Sequence, residues 1–217
     1  MWGVHGMIQN ELMIFGITGI SGSGTSTVAE ILQEIVENED DYGYYLAIVV
    51  EADEIAHEVM LRGNSAYDEI VSHFGKDILD EDNEIDRKIL GEIVFNDEEL
   101  LTVLKSIIHP HVIKTTKDII NSCSATEEVL AVIIDAPLLI ESGMNNLCDY
   151  CWLVTAPDST RLERIQARDN ISLEMAKLRL KNRAGDEALR PYANAVIENN
   201  DDKHSLVNKV QEIFESL

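Results

Sequence analysis

The sequence predicts an α/β fold built on a doubly wound, mostly parallel, five-stranded sheet, with a helical insertion and a helical lid. Three observations carry that expectation. Five short apolar runs alternate with helix-period segments along the 217 residues, and a glycine-serine cluster stands between the first run and the first helical pattern. The stretch 53–123, between the second and third runs, is helical in pattern and too long for one crossover.

Taken in order, Met13-Ile14-Phe15-Gly16-Ile17-Thr18 reads as a buried first strand. After the cluster, Val28, Ile31, Leu32, Ile35 and Val36 recur at helical spacing, with Glu30, Glu34 and Glu37 on the other face. Strands are expected over 46–50, 129–134, 150–154 and 195–197. Helices are expected over 66–74, 87–95 and 98–120, the last interrupted by Pro110. The segment 161–190 gives two more helices joined near Asn170, with charged faces that suit a mobile lid. Val207, Val210, Ile213 and Phe214 make a closing amphipathic helix. The expected organisation is an N-terminal extension (1–12) and a single domain (13–217). Its core is 13–52, 125–160 and 191–217, its helical insertion 53–124, and its lid 161–190.

With 17 Lys and Arg against 40 Asp and Glu, the formal charge is -23, which argues against nucleic acid or an anionic membrane as partner. The lid segment departs from this, holding eight basic residues against five acidic ones. Either a small anionic ligand or ordinary intrahelical ion pairs account for it. Arg161, Arg164 and Arg168 are spaced to share one helical face. Three cysteines, no secretory leader and no membrane-length apolar run point to the cytoplasm. Cys148 and Cys151 have redox-motif spacing but lead into an apolar strand, so both read as structural.

The cluster Gly19-Ile20-Ser21-Gly22-Ser23-Gly24-Thr25-Ser26 follows G-x-x-x-x-G-K-[ST] except that Thr25 stands at the lysine position. A glycine loop between a buried strand and a helix turns backbone N–H groups around a phosphate, and the helix dipole adds to them. This P-loop, of the P-loop NTPase type, makes Ser21, Gly22, Ser23, Gly24, Thr25, Ser26 and Thr27 candidate nucleotide-binding residues, with Ser26 at the Mg²⁺-ligand position. A dinucleotide loop starting at Gly22 would need glycine or alanine where Thr27 stands.

Beyond the loop, the chain resembles the dephospho-CoA kinases over about Met13 to Asn200. The resemblance rests on Glu51-Ala52-Asp53-Glu54-Ile55-Ala56, His73-Phe74-Gly75, Ile85-Asp86-Arg87, Ile108-His109-Pro110, Asp135-Ala136-Pro137-Leu138-Leu139-Ile140-Glu141, Arg164 with Arg168, and Ala195-Val196-Ile197-Glu198-Asn199-Asn200. It implies ATP-dependent phosphorylation of the ribose 3′-hydroxyl of dephospho-CoA, with ATP and Mg²⁺ as cofactors and dephospho-CoA as the small-molecule partner. It further implies Asp53 as base, although Asp53 also suits a helix N-cap. Arg164 and Arg168 become catalytic phosphate clamps, Arg164 and Asn199 nucleotide contacts, and His109, Pro137, Leu138 and Arg183 acceptor contacts with Asp53. Asp135 becomes a second Mg²⁺ residue beside Ser26. Glu51 stands where the family has its first aspartate, and His57 where the family often has arginine. Two alternatives stay open at this point: a catalytically impaired nucleotide- or CoA-binding homologue, and a kinase of another small acceptor.

Overall fold

The computed structural model describes residues 11–37, 45–95, 97–181 and 185–217; Arg183 and the first ten residues of the expected extension lie outside the described residues. The elements are β1 (Met13–Gly19), α1 (Thr25–Glu37), β2 (Leu46–Glu51), α2 (Ala52–Glu58), α3 (Tyr67–Phe74), α4 (Arg87–Phe95), α5 (Glu98–Ser124), β3 (Val129–Asp135), β4 (Tyr150–Thr155), α6 (Asp158–Asp169), α7 (Leu173–Lys181), α8 (Asp186–Leu189), β5 (Ala195–Glu198) and α9 (Lys203–Glu215). They group into two units. One takes the described residues up to Val50 and Ile120–Leu217, and the other Glu51–Ile119.

The first unit carries the sheet, in the order β2-β3-β1-β4-β5. β1 pairs in parallel with β3, from Met13 opposite Ala131 to Ile17 opposite Asp135. On its other side it pairs in parallel with β4, from Phe15 opposite Tyr150 to Gly19 opposite Val154. β4 pairs likewise with β5. Strand order therefore switches sides across β1, and a crevice for ligands is expected at the C-terminal ends of such strands. Because both sheet faces are covered, the inner strands read as continuous apolar runs rather than alternating ones. Leu130 to Ile134 and Trp152 to Val154 are buried throughout.

One face of the sheet packs against α1 and α9. The i, i+3, i+4 spacing of α1 buries Val28, Ile31 and Leu32, and α9 buries Leu206, Val210 and Phe214 in the same core. Phe15 anchors that core, stacked on Tyr150 at a ring-centroid distance of 5.2 Å and edge-on to Trp152 at 5.3 Å. Asp202 caps α9 by accepting from the Ser205 N–H at 2.9 Å.

The second unit is helical, with Tyr67 and Ile70 of α3, Leu90 and Val94 of α4, and Val112 of α5 buried. The expected interruption at Pro110 does not occur, and α5 runs through it unbroken. Pro110 is exposed, whereas Val112 and Thr116 on the following turns are buried. Tertiary packing outside the proline turn thus holds a helix that the proline alone would weaken. Among the described residues, no helix is long and apolar enough to cross a membrane.

Candidate active site

β1 ends at Gly19 and α1 begins at Thr25, so five residues reverse the chain at the C-terminal edge of the sheet. Two of them need glycine. Gly22 and Gly24 have φ of 84° and 98°, a region that side chains rarely adopt, and a Cβ on Gly24 would run into the Asn199 side-chain amide. The loop closes on itself through a 3.0 Å bond from the Ser23 N–H to the Ile20 carbonyl, and α1 starts with the Val28 N–H on the Gly24 carbonyl at 3.1 Å. The first N–H groups of α1 have no partner within the helix, and the positive end of its dipole lies at the loop. Gly24→Ala is expected to destabilise the fold by about 1–3 kcal/mol through its backbone strain, and to weaken ATP binding. Urea denaturation and calorimetry measure the two effects.

Ser26 Oγ donates to Asp135 Oδ2 at 2.6 Å, joining the first turn of α1 to the end of β3. Asp135 is buried at 7% exposure, while Ser26 is exposed. A hydroxyl and a carboxylate so placed are hard oxygen donors that suit Mg²⁺, an ion that keeps most of its water and takes one or two protein ligands. Among the described residues, no group of three or more His, Cys, Asp or Glu could hold a metal by itself. Thr25, the first residue of α1, is half-buried, as are Ser21 and Thr27, whereas Ser23 is fully buried.

The arginines of α6 meet different fates, which corrects the single cationic face expected from their spacing. Arg161 is buried at 6% exposure, donates to the Ala156 carbonyl and pairs with Asp186 and, at 3.6 Å, with Asp158. A buried guanidinium must be paired, and Asp186 lies 25 residues away. Arg164 reaches the loop, its Nη1 donating to the carbonyls of Gly22 at 3.3 Å and Ser23 at 3.1 Å. Its Nη2 donates to Asn199, at 3.3 Å to both the backbone and the side-chain oxygens. Arg168 is exposed and donates to the adjacent Asp169 at 2.7 Å and 3.1 Å.

Asn199, just past β5, closes the arrangement. Its side-chain Nδ2 donates to the Ser23 carbonyl at 2.7 Å and its backbone N–H to the Thr155 carbonyl at 2.8 Å. No single stretch of sequence reveals this contact, because 176 positions separate the partners.

Pro137 and Leu138 are half-buried in the turn after β3, where the Pro137 carbonyl accepts from Thr18 Oγ1 at 3.4 Å. The cysteines are free thiols. Contact with the Cys151 thiol, together with burial, pushes Cys148 well above the usual thiol range.

In the helical unit, Asp53 is exposed in the first turn of α2. The N-cap is Glu51, with no side-chain capping bond, so the capping role considered for Asp53 does not apply. His57 is exposed in the last turn of α2, and His109 is half-buried in α5 directly before Pro110.

Comparison with known proteins adds four findings. The family model described as CoaE, dephospho-CoA kinase, matches residues 13–205. The dephospho-CoA kinase of Carboxydothermus hydrogenoformans is 38% identical over 188 residues, covering 87% of this chain and 86% of the relative. That of Fusobacterium nucleatum is 38% identical over 207 residues, covering 95% of this chain and 100% of the relative. Among solved structures, a dephospho-CoA kinase from Campylobacter jejuni superposes with a TM-score of 0.64 at 28% identity, over 94% of this chain and 96% of that one.

Proposed function

The chain belongs to the dephospho-CoA kinase family, and from that premise we propose how its own residues transfer a phosphoryl group from ATP to the 3′-hydroxyl of dephospho-CoA to give CoA. The observation that carries the reading is the 2.6 Å contact between Ser26 at the start of α1 and Asp135 at the end of β3, beside a loop that turns through positive φ at Gly22 and Gly24. In a loose transition state the protein has little covalent chemistry to do, so positioning and charge stabilisation dominate. The free N–H groups of the loop and of the first turn of α1 hold the donor's phosphates. Ser26 and Asp135 are the residues that would hold Mg²⁺, which when bound neutralises charge on the transferring phosphate.

Asp53 takes the proton of the acceptor 3′-hydroxyl as the new O–P bond forms and the bond from the γ-phosphorus to the β,γ-bridging oxygen of ATP breaks, with ADP as the leaving group. A carboxylate following a sheet strand is a suitable general base, worth on the order of 10²–10⁴ in rate. The family resemblance alone supports giving His109, Pro137, Leu138 and Arg183 to the acceptor and Arg168 to the phosphates.

An acceptor panel tests the reading. With ATP as donor, turnover is expected with dephospho-CoA and not with nucleoside monophosphates, and the reverse preference would overturn it. Ser26→Ala is expected to raise the Mg²⁺ concentration needed for half-maximal rate roughly tenfold or more and to lower kcat, since it removes a preorganised donor. A magnesium titration of the steady-state rate reads both changes.

A further inference from the structure

Read as a direct contact, Arg164 would be one more cation on the phosphates and Asn199 one more group on the nucleotide. Their hydrogen bonds are already committed elsewhere. A guanidinium has five N–H groups, four of them on the η nitrogens. Those of Nη1 face the Gly22 and Ser23 carbonyls, and those of Nη2 face the two oxygens of Asn199, leaving only the Nε–H. Asn199 is 6% exposed, with Nδ2 on the Ser23 carbonyl, Oδ1 accepting from Arg164 and its backbone N–H on Thr155. Turning its amide over would set Oδ1 against the Ser23 carbonyl and Nδ2 against the guanidinium, so only one orientation satisfies both neighbours.

The consequence lies across one peptide plane. In a trans peptide the carbonyl points opposite to the N–H of the next residue. Two donors, at 2.7 Å and 3.1 Å, hold the Ser23 carbonyl, which fixes the Gly24 N–H in the direction opposite to Arg164 and Asn199. The neighbouring Gly22 carbonyl is held by Arg164, and the N–H across that peptide, of Ser23, is bonded to Ile20. Ser23 is fully buried, so water does not supply these bonds. In addition, the cation behind the carbonyls polarises the peptide in the sense that favours an anion at its N–H end. That matters in a loop with threonine at its lysine position and in a chain of formal charge -23.

We infer that Arg164 and Asn199 are positioning residues that hold the Ser23–Gly24 peptide with its N–H toward a bound polyphosphate, and that they act through the loop rather than by touching the nucleotide. The inference rests on the reading of the loop as a phosphate cradle given above.

Calorimetric titration with ATP, inorganic tripolyphosphate and adenosine tests it on the full chain, using wild type, Asn199→Ala, Asn199→Asp and Arg164→Lys. A displacement of about 1 Å in a positioned group can cost roughly 10²-fold. All three variants are therefore expected to bind ATP and tripolyphosphate about 10- to 100-fold more weakly, by similar factors, with adenosine unchanged. Asn199→Asp keeps the shape and a partner for Arg164 but loses the donor to Ser23, so a purely structural filler role predicts that it binds like wild type. Arg164 is half-buried, and Arg164→Lys carries the test should the Asn199 variants lose their thermal unfolding transition. Tripolyphosphate affinity unchanged in the folded variants would overturn the inference. So would adenosine weakened as much as ATP, the mark of a direct base contact. Wild type that binds neither ATP nor tripolyphosphate would instead overturn the cradle reading itself.

Discussion

Asp53→Asn is expected to lower kcat by about 10²–10⁴, the range for a lost general base, with KM for ATP and dephospho-CoA unchanged within a few-fold. The side chain is exposed in the first turn of α2, and α2 is capped at Glu51 rather than at Asp53. Loss of its charge removes only about 0.3–1 kcal/mol of favourable interaction with the helix dipole, so the variant folds. Asparagine keeps the shape and the hydrogen-bonding oxygen, and only the capacity to take a proton goes. Stopped-flow and steady-state kinetics, with circular dichroism to confirm the fold, read the result. A full-rate Asp53→Asn enzyme would remove Asp53 from the chemistry.

Thr25→Lys is expected to act in the opposite direction. Threonine at the head of α1 brings no charge and cannot extend along the donor's phosphates. A preorganised cation or donor at a developing negative charge is worth on the order of 10²–10³ in rate. The substitution is therefore expected to raise kcat by up to about that factor and to tighten ATP binding. Thr25 is the first residue of α1 and is half-buried, so the larger side chain does not have to enter a fully buried position. Unchanged kcat would mean that another cation already occupies the lysine's electrostatic role during transfer.

The sheet and the loop were legible in the sequence for a physical reason: strands covered on both faces must be continuously apolar, and a turn through positive φ must be written in glycine. Each of the five strands appears within a residue of where its apolar run lies. Ser26 and Asp135, which the sequence reading paired as Mg²⁺ residues, lie within hydrogen-bond distance of each other, because strand ends and helix starts converge at the switch in strand order. Spacing fails where tertiary partners decide. Arg161 and Arg164 lie three apart on α6, yet one is buried against Asp186 and the other reaches the loop. Helical periodicity gives their relative angle but not which side faces inward when both sides are polar. Pro110 misled for the same reason, since the residues that hold α5 lie outside the proline's own turn. The bonds joining Arg164, Asn199 and Ser23 span at least 35 positions, so their shared role emerges only from the folded arrangement.

The most direct test of the account is the product formed when the wild-type chain is incubated with ATP, Mg²⁺ and dephospho-CoA, followed by mass spectrometry and phosphorus NMR. The expected result is dephospho-CoA carrying one additional phosphoryl group on the ribose 3′-oxygen, formed faster by Thr25→Lys and about 10²–10⁴-fold more slowly by Asp53→Asn. Absence of CoA above the protein-free control from both wild type and Thr25→Lys would contradict it.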